Sequence, residues 1–122
     1  MTDAKDPQSQ KIFKVTRRAV FEQSRESGQF IGMPIDLEDG YVHFSTASQL
    51  VETLRLHFAG ADDLVLFAVD TDALGAALKW EASRGGALFP HLYGELPMTA
   101  VGEASPIAVA ADGSVELPEW AQ

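Results

Sequence analysis

Leu64-Val65-Leu66-Phe67-Ala68-Val69 is an unbroken apolar run, with Asp62-Asp63 before it and Asp70 after it. The run is too short for a typical helix and leaves no polar position to turn toward water. It therefore predicts a strand covered on both faces. The 122 residues of the chain fall in the range of one domain, long enough to bury roughly two-thirds of the unfolded surface. With 46% hydrophobic and 22% charged residues the composition is ordinary for a globular protein and argues against disorder. No apolar run approaches the ~18 residues of a spanning helix, and the polar residues 1–10 do not resemble a secretory signal. The expectation is a soluble, cytoplasmic protein with no membrane partner.

The formal charge is −9, from 18 acidic and 9 basic side chains. Such a chain repels a phosphate polyanion at long range, which argues against nucleic acid as a partner. Five of the nine basic residues (Lys11, Lys14, Arg17, Arg18, Arg25) nonetheless fall between Lys11 and Arg25, where Glu22 is the only acid, and no Lys or Arg follows Arg84. This segment reads either as a solvated helix face or as a local anion site. With Thr16 as N-cap, Arg17 and Arg18 would lie in the first helical turn, where the positive dipole end disfavours cations unless an anion is close. The absence of Cys removes disulfides, zinc–thiolate sites, iron–sulfur clusters and thiol nucleophiles together.

Residues 1–10 read as a disordered tail, leaving one domain over 11–118. Ile12-Phe13-Lys14-Val15-Thr16 predicts a strand, followed by a helix over 17–27 that Gly28 terminates. The stretch 29–39, with Gly32, Pro34 and three acids, predicts a loop. Tyr41–Ser45 returns to strand chemistry and runs into Thr46-Ala47-Ser48-Gln49, a capping box. Ala47, Leu50, Val51, Leu54 and Phe58 then mark one apolar helix face, with Gly60 to close it. Asp72 is placed to cap a short turn over 73–77, and 78–80 predicts a strand. Residues 81–94 read as a long loop, and 100–109 and 114–117 as closing strands about a turn at 111–113. The fold class is α+β, with two helices near the N-terminus and strands mostly after them.

With thiols absent, a reactive site needs a His or a carboxylate. His43 alternates with Val42 and Phe44, so it shares a strand side with Tyr41 and Ser45; that side either meets water or lines a cleft. His91 and Tyr93 place two hydrogen-bonding rings on one backbone wall, and Gly94 allows close approach of a ligand. The alternative is a rigid turn with Tyr93 anchored in the core. Ser83-Arg84-Gly85-Gly86 offers backbone N–H groups and one guanidinium to an anion without matching a phosphate-binding loop. His57, near the end of the second predicted helix, reads as structural. The three His follow no metal-ligand spacing, and a triad of Ser45, His91 and Asp70 lacks the supporting Gly-x-Ser-x-Gly elbow.

Ile12-Phe13-Lys14-Val15-Thr16, Asp39-Gly40-Tyr41-Val42-His43-Phe44-Ser45-Thr46, Asp63–Asp70, and Trp80-Glu81 through Phe89-Pro90-His91-Leu92-Tyr93-Gly94-Glu95-Leu96-Pro97 occur in this order. The combination resembles the bacterial domain-of-unknown-function family 952 over about Ile12 to Val101. More remotely it resembles the ADP-ribosyltransferase fold, and within it the RNA 2′-phosphotransferases, where a Val-His-x-Ser strand precedes a helix and an apolar strand ending in Asp. The resemblance implies split β-sheets holding NAD, or an ADP-ribosylated substrate, in the cleft between them. No bound cofactor is required; NAD or an ADP-ribose-like molecule is the implied ligand. Carried over, His43 and Ser45 would contact a ribose or phosphate, with Thr46 at the mouth of the helix below. Lys14 stands where relatives often have His, and a charged Lys can hold a phosphate but cannot accept a hydrogen bond. Glu81 is the nearest candidate for the catalytic Glu of the ADP-ribosylating branch. The resulting expectation is a small-molecule cleft with His43, His91 and Glu81 as catalytic candidates and Lys14, Ser45, Thr46, Arg84 and Tyr93 as ligand-binding candidates. The alternative is a metabolite- or peptide-binding module without turnover.

Overall fold

The computed structural model describes residues 10–122. The expected tail over 1–10 lies, apart from Gln10, outside the described residues, as does the side chain of Arg84. β3 (Leu64–Asp70) is the central strand of an antiparallel sheet, flanked by β1 (Lys11–Arg17) and β6 (Val101–Ile107). Its unbroken apolar run follows from that place. Val65, Phe67 and Val69 face one hydrophobic cluster with Ile12, Phe21 and Phe44, while Leu64, Leu66 and Ala68 face a second with Phe13, Leu50 and Leu54. Each such Val, Leu, Ile or Phe side chain contributes about 1.5–3 kcal/mol on full burial.

The first cluster is closed by a second antiparallel sheet, in the order β2 (Val42–His43), β5 (Leu88–Leu92), β4 (Leu78–Ala82). The two sheets meet where Phe13 and Ser45 exchange backbone hydrogen bonds of 2.8 and 2.9 Å. Three α-helices among the described residues complete the layers. α1 (Arg18–Ser27) buries Phe21 and Ser24 and ends at Gly28, whose φ of 86° needs a residue without Cβ. α2 (Pro34–Asp39) is a short turn beside β2. α3 (Ala47–His57) covers the second cluster with Leu50 and Leu54, and its start carries the expected box, Gln49 Oε1 accepting from the Thr46 N–H at 3.0 Å.

Several local expectations are corrected. Thr16 is a buried residue of β1 and Arg17 holds the N-cap position, because the strand continues to pair with Leu64. The anion beside that helix start is the protein's own: Arg17 pairs with the Asp63 carboxylate and the Arg18 N–H donates to the Asp63 carbonyl. The loop expected over 29–39 contains α2, since Pro34 fits the first helical position and Asp36 caps from the third. The long loop expected over 81–94 is mostly a β-hairpin, β4 pairing with β5 from Leu78↔Leu92 to Ala82↔Leu88. Asp70, not Asp72, caps the turn that follows β3. Val51 is solvent-exposed on α3, which closes at Phe58 before Gly60. Within 114–117 only Val115 pairs, bridging to Val109. Among the described residues no helix is long and apolar enough to cross a membrane.

Candidate functional site

His43 and His91 face each other as a cross-strand pair on β2 and β5. Alternation along each strand sends Val42 and Leu92 into the core and turns both imidazoles to the other side. The rings lie 5.4 Å apart, edge to face. Tyr41 packs on both, at 4.5 Å from His43 and 4.3 Å from His91, and at 4.9 Å from Tyr93. Two imidazoles and two phenols thus form one ring cluster.

His43 is tied to α2 at three points. Asp36 Oδ1 accepts from its backbone N–H at 3.0 Å and lies 2.7 Å from Nδ1, and Asp39 Oδ2 lies 2.9 Å from Nε2. The same Asp36 oxygen accepts from the Lys14 ammonium at 2.8 Å, and Oδ2 accepts from the Met33 N–H at 2.8 Å. Burial pushes the Asp36 carboxyl up, but the His43 hydrogen bond and the Lys14 charge outweigh it and hold the group at about 2. Lys14 is pulled below its ordinary range by burial, against the attraction of Asp36.

His91 is held from the opposite strand. Glu81, on β4, lies 2.7 Å from Nδ1 with the same oxygen, Oε1, that accepts from the Tyr93 hydroxyl at 2.8 Å. Those bonds to His91 and Tyr93 lower the Glu81 pKa. Accepting the Tyr93 proton's bond, with partial burial and the Glu81 charge, raises Tyr93 to about 12. A carboxylate can only accept, so Nδ1 carries the proton and Nε2 of the neutral ring has a lone pair. The imidazole is 4% exposed, yet no buried side-chain polar atom among the described residues lacks a partner. Among the described residues Nε2 has no hydrogen-bond partner, and His91 lines the adjoining cavity.

That cavity, of about 330 Å3, lies where β1, β2 and β5 meet α3. His43, His91, Lys14 and Ser45 line it, and Ser45 Oγ shares a 3.1 Å hydrogen bond with Thr53 Oγ1. Phe13, Phe44, Phe58 and Phe89 supply much of the apolar wall, with Ile35 of α2 at one side. His57, read as structural, also lines it, from the exposed end of α3. Tyr93 and Glu81 stand behind the rings, outside the wall. Thr46 serves the start of α3 and is not part of the lining. Ser83 is part of the lining, but the Arg84 side chain lies outside the described part. The paper triad fails because His91 is oriented by Glu81, not Asp70. Among the described residues no group of three or more His, Asp or Glu could hold a metal ion.

Sequence reasoning did not single out Asp36, Asp39 or Tyr41. Asp36 had one readable signal, its place three residues after Met33 behind a proline that favours a helix start. Nothing local showed that it would accept from β1 and β2 together.

A family model described as Protein of unknown function (DUF952) matches residues 15–104. The chain belongs to the DUF952 family. The match runs from the end of β1 through most of β6 and includes both imidazoles and Glu81. A crystal structure of protein CC0527 from Caulobacter crescentus is similar, with 41% identity, 92% of this chain and 98% of that chain covered, and a TM-score of 0.85. A solution structure of the same protein has 44% identity, covers 86% and 90% respectively, and has a TM-score of 0.75. No curated protein matches the chain.

Proposed function

We propose that this DUF952 chain binds a nucleotide-like small molecule in the cavity beside the two imidazoles, and that His91 is its proton-transfer group. The observation that carries this reading is a buried His91, fixed from behind by Glu81, that lines 330 Å3 of space with no partner to Nε2 among the described residues. The volume stands at the lower end of the ~300–1,000 Å3 typical of ligand pockets. It suits one heterocycle with its ribose, so the remainder of a dinucleotide such as NAD would extend outside. The remote resemblance to ADP-ribosyltransferases and RNA 2′-phosphotransferases supports the same reading, since two adjoining sheets flank the cavity here. The reaction class it suggests is group transfer. Nε2 would take the proton of an attacking hydroxyl while Glu81 stabilises the imidazolium, and return it to the leaving oxygen. Glu81 is then a positioning residue for His91, and Arg84, which follows the lining residue Ser83 in sequence, remains a candidate to hold a phosphate.

One observation favours the alternative of binding without turnover. Both ring nitrogens of His43 already face carboxylates and the Lys14 charge is matched by Asp36, so two of the expected polar groups are spoken for.

Thermal unfolding with millimolar NAD, ADP-ribose and a 2′-phosphorylated dinucleotide tests the site. A ligand at ~100 times its Kd adds about 2.7 kcal/mol of stability, an effect that His91→Ala should reduce. Product formation that His91→Ala abolishes supports transfer, whereas retained affinity with no product supports the binding module. No stabilisation of the wild type by any of the three counts against the site.

A further inference from the structure

We infer that the inner end of the cavity takes an uncharged, flat heteroaromatic ring bearing an exocyclic N–H donor, and that any phosphate of the ligand stays outside. The inference rests on the small-molecule reading above and narrows it to the part of the ligand that enters.

Charge is the first ground. Among the described side chains, the cationic or potentially cationic groups deep in the wall have carboxylates of their own. Lys14 has Asp36 at 2.8 Å, His43 has Asp36 and Asp39 at 2.7 and 2.9 Å, and His91 has Glu81 at 2.7 Å. With the imidazoles protonated these groups sum to neutral, and with them neutral to negative. A phosphate pushed inward would shed its water with no counter-charge to receive it, which is costly. His57 is the exception, and it sits at the exposed end of α3, where a phosphate outside could meet it.

The wall and its free polar atom supply the rest. The partly buried Phe58, with the edge of Phe89, gives the cavity an aromatic surface that a planar ring can meet, and the buried Phe13 and Phe44 back the wall. Because Glu81 fixes the His91 proton on Nδ1, the neutral ring turns an acceptor inward. An acceptor in a largely apolar wall selects a ligand edge that donates, as an exocyclic amine or carboxamide does; while Nε2 holds that edge it anchors the ligand and moves no proton, so the inference goes with binding without turnover. A site built to accept such a bond rejects the analogue lacking the donor, since its own nitrogen would be left unpaired.

Calorimetric titration of the full chain separates the cases. Adenosine should bind, and purine riboside, the same molecule without the amino group, should bind at least ten-fold more weakly. Neither inorganic phosphate nor ribose 5-phosphate should displace adenosine. Ile35→Trp, at a solvent-exposed lining position, should weaken adenosine ten-fold or more with little change in Tm. Equal affinity for adenosine and purine riboside overturns the donor requirement. Binding of phosphate or ribose 5-phosphate in place of adenosine overturns the whole inference while leaving the cavity a ligand site. Failure of adenosine, nicotinamide, NAD and ADP-ribose alike overturns the underlying reading and the inference with it.

Discussion

Asp36 carries more of the site's architecture than either imidazole. It is buried, and its two oxygens collect hydrogen bonds from β1, β2 and the start of its own helix. Removing it strands the Lys14 ammonium in the interior, and breaking a buried pair from one side costs about 3–5 kcal/mol. Asp36→Ala should lose stability of that order in urea unfolding monitored by circular dichroism. The carboxyl also has a sign that can be checked. Its folded pKa of about 2 lies below the ordinary 3.8, so its contribution is complete above the ordinary value and is lost as pH falls through the folded one. Between about pH 4 and pH 2 wild type should lose about 2 kcal/mol more than Asp36→Asn does. Tyr93 titrates the other way: near-ultraviolet absorbance should show one phenol ionising at about 12, and Glu81→Gln should bring it back toward the ordinary tyrosine value of 10.0. A Tyr93 titration unchanged by Glu81→Gln would show that the two side chains do not share that bond in solution.

At the scale of elements, periodicity succeeded where one face or one burial state persisted over several residues. β3 was legible from six apolar residues in a row and α3 from its capping box and spacing, because both signals are local. α2 was not, since Gly32 and Pro34 look like loop punctuation; only the tertiary role of Asp36 and the fit of Pro34 at a helix start make six residues helical there. The β4–β5 hairpin was hidden for a related reason. Pro90 lies in its central strand, and the turn residues Gly85 and Gly86 stand with the loop-like chemistry around them. Pro90 has no N–H to give the ladder at its pairing with Trp80, and its carbonyl accepts from the Phe44 N–H at 3.0 Å. The turn at Gly113 offers a test of how closely the C-terminal segment packs on α3. Its φ is 89°, and a Cβ there would come within 2.5 Å of Arg55 Cγ. Gly113→Ala should therefore cost more than about 1 kcal/mol, read as a drop in Tm with α3 otherwise intact.

Taken whole, the molecule hangs two hydrophobic clusters on the two faces of one strand, and neither can persist when β3 leaves. Unfolding should accordingly be a single transition. Trp120, stacked on Phe13 in the second cluster, and Trp80, on β4 of the other sheet, provide probes on both sides. Fluorescence of Trp80→Phe, which leaves only Trp120, should give the same urea midpoint as far-ultraviolet circular dichroism; separated midpoints would mean that the two clusters unfold independently. The sequence by itself determined the doubly covered strand, the α+β class, the family, and the residues in which imidazoles and phenols alternate outward, because each of these is written in neighbouring positions. Only the tertiary structure decided which histidine nitrogen is left without a partner among the described residues. That choice depends on Asp36, Asp39 and Glu81 arriving from other elements, and hydrogen bonds between groups distant in the chain leave no periodic trace along it.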